Sequence, residues 1–477
     1  MSWFRVHSIK VGSNDSKIFW YNNQQNLLYD ENKEPLFQQE SNFYKKFLDW
    51  SKQNPATKSR DIRRLKIQLG LSCNYSCSYC SQRFIPHADS NNLPYVETFI
   101  DKMPKFFQGG EDGLGKGVKI EFWGGEPFVY WKTLKILAEK VREKYPNANF
   151  GMISNCTLLD DEKIEWLDRL GFAIGMSHDG ESYKDTRGDD PLLNPEKYKY
   201  ILKLYNLLAP KGRMSINCVM NKNNISKKEV QKYLSKYFNP EYLFIGEGSI
   251  IDAFDEGGIS NSLVKRADQL KYRNNSLEEV RNSSCDKFTH VKNQIEGFIN
   301  GMLQGKPREA LNQKCGIDSP HNVTVDLKGN VITCQNVSPV SIAMNGEKHL
   351  SGHIDDFDNV RVKTITHWSH RPNCKNCPVL HLCKGSCTFT EGKFFDVSCQ
   401  NSFSDNIVYF ATAVEIITNG YLPYYIEGDN PKERHDIWGW VTNQEKSDLE
   451  IRFEKEKLEE LSKQKPTYNF NVNGARV

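Results

Sequence analysis

Between residues 64 and 250 the chain repeats one alternation six times, a short β-rich run followed by a helical pattern. The runs are "RLKIQLGL", "VKIEFWGG", "ANFGMISN", "FAIGMSHDG", "RMSINCVMN" and "EYLFIGEG". Strands separated by helices lie parallel, because each helix carries the chain back along the sheet before the next strand begins. In "WKTLKILAEKVREKY" the residues Trp131, Leu134, Leu137, Ala138, Val141 and Tyr145 recur at three- and four-residue steps and predict one stripe laid on that sheet. "DDEKIEWLDRLG" opens on Asp160 as N-cap and closes on Gly171 as C-cap. The runs end at Gly, Ser or Asn, and in a parallel barrel the carboxyl ends of the strands carry the active site.

At the end of the first run stands "LSCNYSCSYC", residues 71–80, with Cys73, Cys77 and Cys80. The N-terminus "MSWFRVHSIKVG" lacks the basic-then-apolar run of a secretory signal, so a cytoplasmic location is expected. "IVYFATAV" at 407–414 is too short to span a bilayer. Lysine and arginine total 63 against 60 acidic residues, a balance that argues against nucleic acid or an anionic membrane as main partner. In a reducing compartment the thirteen cysteines do not form a disulfide framework, so those that cluster point to metal or redox chemistry.

Taken alone, the three thiols leave three readings open: core cysteines, a zinc site, or an iron–sulfur cube. Zinc takes four protein ligands in a closed structural site. Three thiolates suit a 4Fe-4S cube with one iron free for a ligand. The second run ends in "EFWGGEPF", Glu121 to Phe128. A glycine pair lets backbone approach a ligand closely, and Glu126 could accept a hydrogen bond from a ligand ammonium.

With these two motifs on adjacent strands, the chain resembles a radical S-adenosylmethionine (SAM) enzyme. The resemblance implies a partial (β/α)6 barrel of the TIM type, with Cys73, Cys77 and Cys80 on a [4Fe-4S] cluster and Tyr79 near the adenine. It implies Gly124, Gly125, Glu126 and Pro127 at the methionine amino group. "SNCTLL" at 154–159 resembles the third-strand motif, usually with glycine where Cys156 stands, and "SHDG" at 177–180 the fourth-strand Ser-x-Asp-Gly. Ser154, Asn155, Ser177 and Asp179 would face the cofactor, and Arg187 would pair with its carboxylate. Reductive cleavage would give a 5'-deoxyadenosyl radical that removes hydrogen from an unactivated carbon, fed by a low-potential donor such as flavodoxin or ferredoxin.

Downstream, Cys315, Cys334, Cys374, Cys377, Cys383, Cys387 and Cys399 follow spacings similar to those of the SPASM domain, with "TVDLKGNVITC" as a hairpin turning at Lys328-Gly329-Asn330. The resemblance implies two auxiliary iron–sulfur clusters. Cys374, Cys377, Cys383 and Cys399 would hold the outer one, and Cys315, Cys334 and Cys387 the inner one, with Cys285 the candidate fourth ligand. A zinc knuckle pair is the alternative. Cys156 and Cys218, within strand patterns, read as ordinary buried residues.

SPASM-bearing enzymes resemble one another in acting on peptides or proteins. A ribosomally made precursor peptide is therefore the expected substrate, cross-linked between side chains. The sulfatase-maturase branch, which makes formylglycine, has an Asp proton acceptor after the second SPASM cysteine, where this chain has Gln335. Glu247, ending the sixth run, is a candidate acid–base or anchoring residue, and Gln335 a weaker one. A non-catalytic iron–sulfur electron carrier or scaffold is the rival from another class.

The expected organisation is a hairpin extension over 1–60, the barrel over 61–255, a helical linker over 256–312 that is loop-like until Ser276, a SPASM region over 313–402, and a C-terminal helix with charged tail over 403–477. A leader segment could add to the edge of the N-terminal hairpin.

Overall fold

The computed structural model describes residues 2–13, 15–39, 44–46, 50–86, 92–107, 117–441, 466–468, 470–472 and 475–476. The charged helix expected over 445–465 lies outside the described residues.

All six runs form strands: Arg64–Gln68, Lys119–Trp123, Asn149–Ser154, Ala173–Ser177, Met214–Asn217 and Ile245–Glu247. They pair in sequence order, every neighbour parallel. Leu65 and Ile67 of the first strand are fully buried in the apolar core beneath the helices. Arg64, Lys66 and Gln68 alternate with them and face the concave side. The helix Trp131–Lys144 buries Leu134, Leu137, Ala138 and Val141 against the sheet, as its spacing predicts. Asp160 caps Asp161–Arg169 by accepting from the Lys163 amide, and Gly171 takes the left-handed turn at φ +70°.

The cysteine-rich region is joined to the barrel rather than set apart from it. Strand Asn322–Asp326 pairs parallel with Arg64–Gln68, and Asn330–Ile332 and Leu350–His353 continue the same nine-stranded sheet. Gly329 turns the hairpin at φ +90°. Beyond it, Leu311, Trp368, Cys374 and Leu380 form a small apolar cluster of their own, while Ile354, Phe357, Val360, Val379 and Leu382 join the main core.

Three expectations about the chain's outer parts change. The first strands, Trp3–Lys10, Ser16–Asn22 and Leu27–Tyr29, do form a hairpin-based sheet, but Tyr421–Glu427 pairs with the first of them to make four strands. The opposite edge carries a bridge from Tyr29 to Pro35 and a bond from the Leu36 amide to the Leu28 carbonyl. Strand addition at that hairpin therefore has little free edge to use. Second, the stretch read as loop up to Ser276 holds the helix Arg266–Arg281. Its inward face is polar, so no apolar stripe announced it: Tyr272 donates to Asp405 (2.6 Å), Arg273 to Ser404 (3.1 Å), and Arg281 pairs with Glu415. Third, one helix, Gly392–Ile417, runs through the boundary expected at 402/403 and carries Cys399 near its start.

Candidate active site

The cysteine loop leaves the first strand at Leu69 and is strapped to the end of the second. The Gly125 amide donates to the Gly70 carbonyl (3.1 Å) and the Glu126 amide to the Ser72 carbonyl (3.0 Å). From the other side the Ser72 amide donates to the Tyr130 hydroxyl (2.6 Å). A Cβ on Gly125 would lie 2.3 Å from the Ser72 oxygen and 2.4 Å from the Leu71 oxygen. The glycine pair thus admits the cysteine loop itself, where the sequence suggested a ligand. The Tyr75 amide donates to the Cys73 sulfur and the Gln82 amide to the Cys80 sulfur, both at 3.4 Å, as suits thiolates that hold metal.

Glu126 is 1% exposed and its carboxylate is already engaged. It accepts from Ser154 Oγ (2.9 Å), the Asn155 amide (2.8 Å) and the Phe128 amide (3.1 Å). Burial, only partly offset by those bonds, pushes its pKa up to about 7. Its role in this arrangement is to pin the end of the third strand to the second, in place of the expected contact with a ligand ammonium. Asn155 extends the lock by donating to Asn74 of the cysteine loop (2.9 Å). Cys156 sits at φ +61°, which explains why glycine resembles the usual choice there. Its buried side chain fits the expectation of an ordinary core residue, as does that of Cys218.

Asp179 is fully buried and gathers Tyr79, Arg187 and the Val219 amide. Arg187 holds it through Nε (2.7 Å) and Nη2 (3.2 Å). Burial alone would raise the Asp179 pKa, but Arg187 overcomes it and holds it low. The guanidinium also lies over the Tyr79 ring (5.4 Å) and opposes the effect of burial on Cys77, whose thiol is pushed up to about 11. Arg187 thus stands between an internal carboxylate and the cysteine loop, rather than waiting unpaired for a ligand. Ser177, half-buried, ends the fourth strand in register with Asn217.

The concave face carries a charge network that the sequence reading missed. Arg64 binds Glu121 through two nitrogens (2.5 and 2.9 Å), and Lys119 adds a third contact (3.0 Å). Burial opposes ionisation of Glu121, but Arg64, then Lys66, bring its pKa down to about 2. Lys66 donates to Gln335 Oε1 (3.0 Å) and lies 5.3 Å from the Trp123 ring centre. The signal was available: charged residues at every second position of a strand covered by helices have only the lumen to face. Glu247 is exposed at the end of the sixth strand and is among the carboxylates favouring the charged form of Arg64.

Further thiols lie at two cavities beside the barrel. Cys374, Cys377, Cys383 and Cys399 line one cavity with Phe403 and Arg434. Cys315 and Cys334 line another, with Lys58, Arg64, Lys66 and Gln335. Burial, then Asp252, raises the pKa of Cys387, and Cys315 and Cys334 add to it. Among the described residues no three His, Cys, Asp or Glu side chains are arranged to hold a single metal ion. Cys285 does not join them. It is buried after Arg266–Arg281, and its thiol is raised to about 12 by burial in surroundings set by Lys227, Glu279 and Asp286. No disulfide links any of the thirteen cysteines.

Residues 67–234 match the Radical SAM superfamily model. The chain is 22% identical over 351 residues to the radical SAM cyclopropyl synthase TigE of Paramaledivibacter caminithermalis, covering 68% of each. It is 26% identical over 182 residues to an uncharacterised protein of Methanocaldococcus jannaschii, covering 36% of this chain and 58% of that one. Among solved structures, anSMEcpe with bound AdoMet and the Cp18Cys peptide superposes with a TM-score of 0.52 at 19% identity, covering 75% of this chain and 99% of that one. The likeness is one of fold, the partial barrel built on the parallel sheet.

Proposed function

From the premise that the chain carries a radical SAM domain over residues 67–234, we propose that it is a peptide maturase that forms an intramolecular cross-link, C–C, C–O or C–S, in a ribosomally made precursor. The observation that carries the reading is the strap between the two motifs: three thiols on one strand end, bonded through Gly125 and Glu126 to the next. The cluster would supply one electron to the sulfonium of SAM and so give the 5'-deoxyadenosyl radical. This chain's residues do the rest by position. Cys73, Cys77 and Cys80 would hold the cluster, with the Tyr75 and Gln82 amides donating to the Cys73 and Cys80 sulfurs. Glu126 and Asn155 fix the third strand end against the cysteine loop, and Asp179 with Arg187 holds Tyr79 of that loop from the fourth-strand side. Such rigidity keeps a reactive centre within bonding reach of one substrate carbon.

A peptide substrate is supported by anSMEcpe, solved with a peptide bound. Formation of a carbon–carbon bond is supported by the name of TigE, since a cyclopropyl ring closes by one. Gln335 disfavours the formylglycine alternative. It stands where that branch has an acidic residue, and its amide oxygen is occupied by Lys66. The auxiliary centres belong to the same proposal, on the two thiol groups beside the barrel.

The test is co-expression with a candidate precursor peptide, sought among short reading frames near the gene, followed by mass spectrometry. A cross-link removes two hydrogens, whereas formylglycine replaces a Cys or Ser side chain by an aldehyde. Reconstituted protein given SAM and reductant should release 5'-deoxyadenosine, and the variant with Cys73, Cys77 and Cys80 all changed to alanine should release none. Absence of release from the wild type would leave the non-catalytic carrier as the better description.

A further inference from the structure

The outer thiol cavity is closed by a cation from outside the cysteine pattern. Arg434 lies thirty-five residues beyond Cys399, in the turn Lys432–Arg434 that follows strand Tyr421–Glu427. That turn folds back onto its strand, with the Ile426 amide donating to the His435 carbonyl (2.9 Å) and the Ile437 amide to the Tyr424 carbonyl (3.3 Å). The strand itself pairs with Trp3–Lys10. Both ends of the chain therefore fix where this arginine points.

Arg434 is 4% exposed and lines the cavity with Cys374, Cys377, Cys383 and Cys399. Its Nη2 donates to the Cys399 sulfur at 3.2 Å, and its guanidinium lies 4.7 Å from the Phe403 ring centre. Among the described residues no carboxylate lies within ion-pair distance of it, and its buried Nε has no hydrogen-bond partner. A buried guanidinium without a counter-ion is costly, so its natural partner is an anion held by the four sulfurs.

Burial lowers the pKa of Arg371 and Cys374, Cys387, Cys383 and Cys399 oppose it, so a second cation is near the outer thiols, but its hydrogen bond runs to backbone. Arg371 donates to the Cys387 carbonyl (2.8 Å) and stacks 3.9 Å from the Phe395 ring centre. Arg273 donates to Ser404 Oγ (3.1 Å) and the Ile437 carbonyl (3.3 Å). Among the described residues, Arg434 alone of the three donates to a thiol sulfur.

We propose that Arg434 sets the reduction potential of the outer iron–sulfur centre, holding it at a less negative value through its bond to Cys399. The proposal rests on the reading of those four cysteines as cluster ligands. A four-thiolate [4Fe-4S] centre carries two negative charges oxidised and three reduced. It takes one electron from a low-potential donor, and no proton is needed for balance. A fixed positive charge favours the more negative state, and hydrogen bonds to ligand sulfur act in the same direction.

The test is a potentiometric titration followed by electron paramagnetic resonance, on full-length protein with Cys73, Cys77 and Cys80 changed to alanine so that only the auxiliary centres contribute. Arg434→Gln should move one of two reduction waves to more negative potential. The expected change is at least a tenfold fall in the reduction equilibrium constant, about 59 mV for one electron. The second wave should stay in place. Arg434→Lys keeps the charge and loses the fork, so the same wave should move less. Where Arg434→Gln loses the outer centre, the lysine variant decides, and an unmoved wave or failure to load it overturns the proposal. Outer iron present with an unmoved wave in Arg434→Gln refutes this inference alone. Absence of iron from the four-cysteine site of the parent protein refutes the cluster reading beneath it.

Discussion

The sharpest test of the site is a single methyl group at Gly125. A Cβ there would stand 2.3 Å from the Ser72 oxygen and 2.4 Å from the Leu71 oxygen, and both are backbone atoms. Ordinary contact begins near 3.4 Å, so the cysteine loop must retreat by about 1 Å. The straps Gly125 to Gly70 (3.1 Å) and Glu126 to Ser72 (3.0 Å) then stretch beyond hydrogen-bond length. Overpacking costs about 1–3 kcal/mol and each lost bond about 1 kcal/mol, which gives about 3–5 kcal/mol for Gly125→Ala. Gly124→Ala is the control, because its Cβ would meet the Gly70 oxygen at 3.1 Å and needs a shift of only a few tenths of an ångström. Anaerobically reconstituted proteins should be compared by iron and sulfide content and by 5'-deoxyadenosine release. Gly125→Ala should lose the iron of one cluster and all cleavage of SAM, whereas Gly124→Ala should retain most of both. Wild-type loading and turnover in Gly125→Ala would refute the close approach on which the site is built.

Other expectations are simpler. Glu126, raised from 4.5 to about 7, contributes stability that is complete below pH 4.5 and lost as the pH rises past about 7, worth about 3 kcal/mol. Differential scanning fluorimetry should find this fall between pH 5 and 8 in the wild type and a flatter profile in Glu126→Gln. Asn23 is fully buried and donates to the Lys375 carbonyl (2.9 Å) and the Cys377 carbonyl (3.0 Å). Asn23→Ala should cost about 2 kcal/mol and lower the iron held by the C-terminal cysteines, with cleavage of SAM preserved. Cys285→Ala should leave the iron content unchanged, and loss of iron would restore it as a ligand.

What could be read from the sequence was whatever repeats or is fixed by spacing. Six strand runs, the helix stripe at Leu134, Leu137, Ala138 and Val141, and the cap at Asp160 all stand where periodicity put them. The cysteine groups follow because metal ligands must be close, and closeness along the chain leaves a pattern. What escaped has no such pattern. Arg266–Arg281 buries Tyr272, Arg273 and Arg281 against polar partners on Gly392–Ile417, so hydrophobic periodicity was the wrong instrument for it. Glu126 sits in a motif that suggested a ligand, yet its bonds run to Ser154 and Asn155, a second strand away. Arg64 and Lys66 alternate with Leu65 and Ile67, a pattern that a flat sheet covered on both faces does not carry and one curved round a lumen does.

The two ends of the chain bring these parts together. The cysteine turn Cys374–Cys383 sends Cys377, Val379 and Leu382 into the main core, and its outer side is bonded to the N-terminal sheet. Ser2 donates to the Lys375 carbonyl (3.0 Å), Asn23 to two carbonyls of the same turn, and the His381 ring meets the Asn23 carbonyl at 2.7 Å. The same sheet takes in Tyr421–Glu427, and the turn after that strand delivers Arg434 to the Cys399 sulfur. A segment that resembled an appendage in sequence is thus the floor under the outer thiols and the anchor of their counter-charge. Because the hairpin Asn322–Ile332 belongs to the barrel's own sheet, the inner thiols are placed by the barrel and the outer ones by the chain ends. Damage to the N-terminal sheet should therefore reach the outer site first and the SAM site last.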